Sequence, residues 1–470
     1  MRKIRLYVAV WAGKLAAVAL KVMGRKGSHF PGLVALTLCP GVIGAIAKPK
    51  RVIVVTGTNG KTTVTNLLVD ALAGEGIETL NNRAGSNTNA GVASALVAGV
   101  GLNGRPKYEV ALLEMDERSA RLILPGLKPD MLVCTNLTRD SIKRNAHAEY
   151  IAWILDSALS DTTLLVLNAD DLIAASLGSG NKRVLFGVGP LPSDTTTPTG
   201  VARDLVICPQ CDTTLVWDYW RFNHIGHAHC PSCGFSSPTP DYCVARVDID
   251  ETVPNGAQDN PEATGSLTID AAGRILQTRM LNDNIVNIYN QVAVVAVLDQ
   301  MGIPLERIRL AFDHLAAPAT RYNARQIGAV TLVRQLTKGL VGVACSRAFH
   351  YIMSMPGSKA IVMNIDEVTD AHDDCENTCW IYDADYEYLA DPSVRQIVVG
   401  GVRRYDQALR LAIAGVDPGI IETIPDEKQG ADKVNLNGIQ RVYNLHSVHN
   451  AISTGDAVEA RLIGRLEEMK

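Results

Sequence analysis

A chain of 470 residues is long for one domain, since domains average ~150 residues, and a single small module is excluded. Hydrophobic residues make up 47% and charged residues 20%, enough apolar material for several buried cores and too much for a disordered chain. With 45 Lys and Arg against 49 Asp and Glu, a net charge of −4, no cationic excess exists to neutralise a nucleic-acid backbone, which argues against a nucleic-acid partner.

Residues 6–23 are largely apolar, but Lys14 and Lys21 interrupt the run, whereas a spanning helix needs ~20 nearly uncharged residues. No small-residue cleavage site follows, so a signal peptide is not expected. A helix here would set Lys14, Lys21 and Arg25 on one side, with Val10, Trp11, Val18 and Val22 mostly elsewhere. Two readings stand: a surface helix docked on its own protein, or a helix resting on an anionic membrane surface.

Arg51–Thr56 (RVIVVT) is a β-branched run followed by a Gly-rich turn, then by Val64, Leu67, Leu68, Ala71 and Leu72 at helical spacing; this predicts strand, loop, helix. The loop GTNGKTT, comprising Gly57, Thr58, Asn59, Gly60, Lys61, Thr62 and Thr63, lies in the context that a phosphate cradle requires. Backbone N–H groups around Gly60 would face phosphates, with the helix dipole behind them. Lys61 would neutralise the β- and γ-phosphates of a nucleotide and Thr62 would offer its hydroxyl to Mg²⁺. The usual phosphate-loop length is met if Thr56 takes the place of the first Gly.

Similar apolar strands are expected at Val110–Glu114, 131–135, 164–167 and 184–186, with helices between several of them, which predicts a mostly parallel sheet. Glu114 ends its strand at the carboxyl edge, beside the nucleotide crevice, and is the expected Mg²⁺ carboxylate. Asp116 and Glu117 follow as further acids of the site or as solvated loop acids. The end of the next-but-one strand, Asn168 to Asp171, is read as a turn.

Residues 189–200 (GPLPSDTTTPTG) form a linker. Beyond it Cys208, Cys211, Cys230 and Cys233 make C-x₂-C-x₁₈-C-x₂-C, the spacing of a zinc ribbon, whose two knuckles close an S₄ shell around structural Zn²⁺. Four thiols in metal-type pairs, among ten cysteines too sparse for a disulfide scaffold, point to a reducing, cytoplasmic compartment. His224, His227 and His229 are expected at the surface, and Arg221 is the only Lys or Arg between the knuckles. Residues 252–265 read as a polar loop and 285–302 as a Val- and Ala-rich helix. Past residue 320 the pattern restarts, with strands at 360–364 and 396–399 and a helix over 405–414 closed by Gly415. Cys134 lies inside an apolar strand and Cys345 lacks a Gly-flanked elbow, so neither reads as a nucleophilic thiolate.

Taken together, TGTNGKTT (56–63), LLEMDE (112–117) and Asn287-Ile-Tyr-Asn290 resemble the Mur ligase family. The Cys₄ insert, NRAGSN (82–87), NLTRD (136–140), WIYDAD (380–385) and VGGVRRYD (399–406) are similar to its ligase-like subunits that work with a separate glutaminase. The resemblance implies an N-terminal helical segment (1–48) and a central ATP-binding domain with a mostly parallel sheet (49–318), carrying the zinc ribbon at about 203–247. It also implies a C-terminal Rossmann-like α/β domain (319–470) that meets the glutaminase. Asn287 and Asn290 would contact the adenine side of ATP, or else form a buried polar network, and Arg321 would reach the phosphates. Asp383, with Asp385 as its alternative, would orient the histidine of the partner's Cys-His pair. Asn284 stands where the resemblance would put a Gly, and Asn145 where it would put an aromatic residue. The implied activity is ATP-dependent amidation, through an acyl phosphate, of the D-glutamate α-carboxyl in a lipid-linked peptidoglycan precursor, at the inner membrane face. A P-loop switch or assembly protein with a zinc-ribbon docking module is the alternative.

Overall fold

The computed structural model describes residues 2–25, 27–83, 85–140, 147–249, 265–316, 322–337, 339, 341–366, 378–447 and 454–469. The strands of its first part are β1 (Arg51–Thr56), β2 (Thr79–Asn81), β3 (Val110–Glu114), β4 (Met131–Cys134), β5 (Leu164–Asn168), β6 (Arg183–Val188), β7 (Val216–Phe222), β8 (Ile225–His229), β9 (Tyr242–Ile249), β10 (Gly265–Ala271) and β11 (Arg274–Arg279). Nine of them form one sheet in the order β11-β10-β9-β6-β5-β4-β1-β3-β2. It is parallel from β2 to β9, and β10 and β11 extend it antiparallel.

Parallel strands buried on both faces read as near-continuous apolar runs, and Val52 to Thr56 are all buried. From β1 the chain places β2 at one edge and β3 between them, then runs β4, β5, β6 toward the other edge. The direction therefore reverses beside β1, where a crevice opens at the carboxyl ends. One face of the sheet is covered by the helices Lys61–Gly74 and Ile285–Gln300, and the other by Asn89–Gly99, Ala120–Leu127 and Ala148–Asp156. In Ile285–Gln300 every residue from Ile288 to Leu298 is buried, and each such Val or Leu contributes roughly 1.5–3 kcal/mol. The helix is two residues shorter than expected, because Gly302 takes a left-handed φ of 88° just beyond its end.

The second sheet comprises β12 (Tyr322–Ile327), β13 (Val330–Leu336), β14 (Lys359–Asn364), β15 (Val394–Gly400), β16 (Ile421–Ile424) and β17 (Arg441–His446), in the order β12-β13-β17-β14-β15-β16. All neighbours are parallel except β12 and β13. The expected helix over 405–414 is Arg404–Ile413. Strands β7 and β8 form a separate hairpin with its own small core of Leu215, Trp217, Trp220 and Ala228, joined to the first sheet's domain through Leu172.

At the N-terminus, the helix Arg2–Val22 lies on the helix Phe30–Leu38, which packs on Asn89–Gly99. Gly32 permits that approach, since a Cβ there would fall 1.9 Å from the Ala90 carbonyl oxygen. Ala9 and Val10 are buried, whereas Trp11, Val18 and Val22 are exposed and Arg25 lies past the helix end. Among the described residues, no helix is long and apolar enough to cross a membrane. The expected loop 252–265 falls outside the described residues except for Gly265, and Asn145 also falls outside them.

Candidate active site

The turn after β1 takes the conformation that its glycines allow. Gly57 has φ 122° and Gly60 φ 89°, and any side chain would collide: a Cβ on Gly57 would lie 2.3 Å from Thr135 Oγ1, and one on Gly60 2.2 Å from Asn290 Oδ1. This cradle of backbone leads into the helix Lys61–Gly74, whose first N–H groups have no intrahelical partner and carry the positive end of the dipole. The residues fit a bound triphosphate.

Thr62 and Glu114 are brought together as expected. Thr62 Oγ1 donates to Glu114 Oε2 at 2.9 Å. Asn87 Nδ2 donates to Glu114 Oε1 at 3.0 Å, and Asn82 brackets the Glu114 backbone, accepting from its N–H at 2.8 Å and donating to its carbonyl at 2.9 Å. The NRAGSN motif thus orients the carboxylate. A hydroxyl and a carboxylate held this way suit Mg²⁺, which prefers few protein oxygens at fixed positions.

The structure decides between the two readings of Glu117. The residue is buried rather than solvated, and its Oε1 accepts from Lys61 Nζ at 2.7 Å. Lys61 also donates to the carbonyls of Gly57 and, at 3.4 Å, Thr58. Burial pushes the Glu117 carboxyl up, against the pull of Lys61. Burial opposes the Lys61 charge as well, but Glu117, Glu114 and Asp140 outweigh it and hold the ammonium above its ordinary value. Asp116 is also buried, capping the short turn that follows by accepting from Arg118 N–H.

The segment after β4 braces the loop. Thr58 N–H donates to Asn136 O at 2.8 Å, and Asn59 N–H to Asn136 Oδ1 at 3.1 Å. Thr135 Oγ1 and Asn136 Nδ2 both donate to Asn59 O, at 2.6 and 3.0 Å, and Thr58 Oγ1 donates to Thr138 O at 2.9 Å. NLTRD is therefore a clamp on the phosphate loop.

Asn287 and Asn290 lie on the opposite wall. Asn290 is buried and its Nδ2 donates to Asn287 Oδ1 at 3.4 Å. Together with Asn59 and Gly60, and with Arg347 and Tyr351 from the helix Gly342–Ser354, they line a cavity of about 150 Å³ between the two sheets' domains. Asn284 caps the helix Ile285–Gln300 by accepting from Val286 N–H at 3.1 Å and takes Arg347 Nη2 at 2.8 Å, two bonds that a glycine lacks. Arg321 lies outside the described residues.

The four expected zinc ligands converge. Cys208 and Cys233 Sγ are 3.5 Å apart, Cys211 and Cys230 3.4 Å, and all four sulfurs lie within 4.8 Å of one another. A tetrahedral Zn²⁺ with ~2.3 Å bonds sets its ligands roughly 3.8 Å apart, so the cluster is compatible with zinc. His224 is buried, not superficial: Asp171 Oδ1 meets its Nε2 at 2.9 Å. Burial opposes the imidazolium, but Asp171 and Asp204 outweigh it and raise the histidine. His227 and His229 are half-exposed or exposed and share Asp218. Arg221 is buried too, paired with Asp170 and Asp194 at 2.9 Å each and stacked 4.6 Å over Tyr219. Asp171 caps the helix Leu172–Ala175 as a turn residue does, and also holds Leu137 N–H at 2.6 Å.

Arg139 joins three parts of the molecule. Its Nε donates to Asp204 Oδ1 of the ribbon at 2.5 Å, and its Nη1 to Asp383 Oδ1 of the C-terminal domain at 3.3 Å. Asp383 ends the short helix Cys379–Tyr382 with its side chain 27% exposed. Asp385 is buried, accepts from Val201 N–H, and its own N–H donates to Ser346 Oγ at 2.9 Å; burial raises its carboxyl. Cys134 and Cys345 are both buried, and burial pushes the Cys134 thiol well above its ordinary value, the opposite of an activated nucleophile.

A phosphate loop at the switch point of a parallel sheet, a threonine–glutamate pair beside it and a second α/β domain across a cavity are the arrangement of an ATP-dependent ligase. Residues 55–188 match the Mur ligase middle domain and residues 341–448 the MurT ligase C-terminal domain. It is 28% identical over 421 residues to the subunit MurT of lipid II isoglutaminyl synthase (glutamine-hydrolyzing) from Staphylococcus aureus (strain N315), covering 89% of this chain and 90% of that one. Its counterpart from Streptococcus pneumoniae (strain ATCC BAA-255 / R6) is 27% identical over 467 residues, 99% of each chain. The fold resembles that of a pseudomurein peptide ligase type C from Methanothermus fervidus, with TM-score 0.62 and 18% identity over 90% of this chain and 79% of that one.

Proposed function

We propose that this chain is the ATP-consuming subunit of a glutamine-dependent amidotransferase. It would convert the α-carboxyl of D-glutamate in the stem peptide of lipid II to the amide of D-isoglutamine. The observation that carries this reading is the Thr62–Glu114 pair on a braced phosphate loop, in a chain whose residues 341–448 match the MurT ligase C-terminal domain.

A carboxylate cannot expel oxide. In the proposed sequence a carboxylate oxygen of the acceptor attacks the γ-phosphorus of ATP and ADP leaves. Ammonia then attacks the acyl carbon of the acyl phosphate, phosphate departs with the C–O electron pair, and a proton passes to solvent or phosphate. Phosphoryl transfer of this kind depends on positioning and charge stabilisation. The backbone of residues 57–63 would bind the β- and γ-phosphates. Lys61 would exchange Glu117 for phosphate oxygens, Thr62 and Glu114 would hold Mg²⁺, and Asn287 and Asn290 would face the adenine. Mg²⁺, when bound, supplies positive charge to the phosphate oxygens. Arg321 is proposed to reach the phosphates from the hinge, and Cys208, Cys211, Cys230 and Cys233 to hold a structural Zn²⁺.

Residues 49–318 would then act as the ATP-binding domain and residues 319–470 as the domain that meets a GatD-like glutaminase. Asp383 is the better candidate to orient the partner's histidine, because its side chain is partly exposed whereas Asp385 is buried. A lipid-linked acceptor would put the reaction at the inner membrane face. The test is ATP consumption by the purified complex with and without muropeptide acceptor and ammonia. Turnover that needs both is expected, and turnover independent of both would overturn the reading.

A further inference from the structure

Charge is distributed unevenly along this chain. Residues 1–50 contain nine Lys and Arg and not one Asp or Glu, which leaves 36 basic against 49 acidic residues for the remainder. Most of those cations lie on or beside the helix Arg2–Val22, and its exposed face is apolar. Ile4, Val8, Trp11, Leu15, Val18 and Val22 recur at intervals of four and three, so they form one stripe, and they are between 49% and 83% exposed. The buried residues Ala9 and Val10 and the contact with the helix Phe30–Leu38 occupy the other side.

The stripe is held in place. Trp11 Nε1 donates to Leu102 O at 3.2 Å and Lys14 Nζ to Val100 O at 2.7 Å, and Leu102 itself is 72% exposed beside it. Phe30 and Leu33 of the following helix are exposed as well. On a 3.6-residue helix Lys3, Lys14 and Lys21 run along one edge of the stripe and Arg5 stands past the other. An apolar stripe with a cationic margin and no acid within the segment matches the boundary between lipid headgroups and acyl chains, while the helix is not one that crosses a membrane.

We propose that this face docks the protein on the surface of an anionic lipid bilayer, with Trp11, Leu15 and Val18 entering the acyl boundary and Lys3 and Lys21 meeting headgroup phosphates. The inference stands apart from the amidation reading, because vesicle binding needs neither nucleotide nor acceptor. The experiment is co-sedimentation of the full chain with vesicles of equal parts phosphatidylglycerol and phosphatidylcholine, and with phosphatidylcholine alone, across a salt series. Binding to the anionic vesicles is expected, at least about tenfold weaker to the neutral ones, and fading as salt rises. Leu15→Glu with Val18→Glu alters exposed positions far from the phosphate loop. It should reduce vesicle binding at least about tenfold and leave the circular dichroism spectrum and nucleotide affinity unchanged; Lys3→Glu with Lys21→Glu should remove the preference for anionic lipid. Absent binding to either vesicle, equal binding to both, or undiminished binding by the Leu15/Val18 variant would overturn the proposal. Self-association that this variant abolishes, without vesicle binding, would assign the face to a protein contact instead.

Discussion

The phosphate loop and the Asp383 corner are both polar sites at the carboxyl ends of parallel strands, yet they are built differently. Around the loop, Thr58, Asn59, Thr62 and Glu114 are fixed by bonds from adjacent strands of one sheet. Among the described residues, the Asp383 carboxylate is held by a 3.3 Å contact from Arg139, across domains and next to the cysteine-bearing insert. Groups fixed within one sheet are ready before any ligand arrives. Groups held across a domain boundary respond to what binds on either side. The difference also suggests a line of communication, since Asn136 and Thr138 grip the loop and Arg139, in the same five-residue segment, grips Asp383.

The widest separation of the two regions is expected from Asp383→Asn. Glutamine-driven amide formation should fall on the order of 10³- to 10⁴-fold, as when an aspartate no longer fixes an imidazole tautomer, while ammonia-driven formation persists. Steady-state rates with each nitrogen source check this. Glu114→Gln should lower both rates together, by about 10²- to 10³-fold, and shift the Mg²⁺ dependence to higher concentration. Loss of both rates with Asp383→Asn would erase the distinction.

Removing metal acts between these extremes. A strong chelator, or Cys208→Ser, should release about one zinc per chain, unfold the ribbon around Trp217 and Trp220, and lower Tm. Near-ultraviolet circular dichroism and metal analysis measure it, and nucleotide binding should survive. Arg139→Lys keeps the charge but loses the fork that reaches Asp204 and Asp383 together; roughly a tenfold loss confined to the glutamine-driven rate is expected.

The smallest effect concerns pH. Burial pushes the Asp204 carboxyl up, but His224 and Arg139 outweigh it and hold it below its ordinary value. A carboxyl lowered by folding adds stability above its unfolded value, near pH ~3.9, and loses it as pH falls through the folded value. Thermal melts between pH 7 and pH 3, compared with Asp204→Asn, should show a steeper acid-side decline in the wild type.

Much of this site was readable from residue order alone. The phosphate loop and the cysteine knuckles each concentrate their chemistry in one short stretch, so spacing reports geometry directly. Glu114 was legible because a strand end fixes where its side chain emerges. What stayed hidden depends on distant partners. Arg139 and Asp383 are 244 positions apart, and nothing local to either announces the other. His224 looks superficial in sequence, yet Asp171, at the end of a sheet strand, compensates its burial, as Asp170 and Asp194 do for the Arg221 side chain. Glu117 reads as a loop acid until the turn after β3 tucks it against Lys61. Asn82 and Asn87 stand out in sequence as an asparagine pair around a glycine, but their purpose emerges only with Glu114 between them.

The most direct test of the proposed chemistry follows oxygen. An acceptor labelled with ¹⁸O in the glutamate α-carboxyl would be turned over with ATP and ammonia, and the inorganic phosphate analysed by mass spectrometry. The account predicts one labelled oxygen in each phosphate released, in step with ADP and amide. Amide formation with unlabelled phosphate would contradict it.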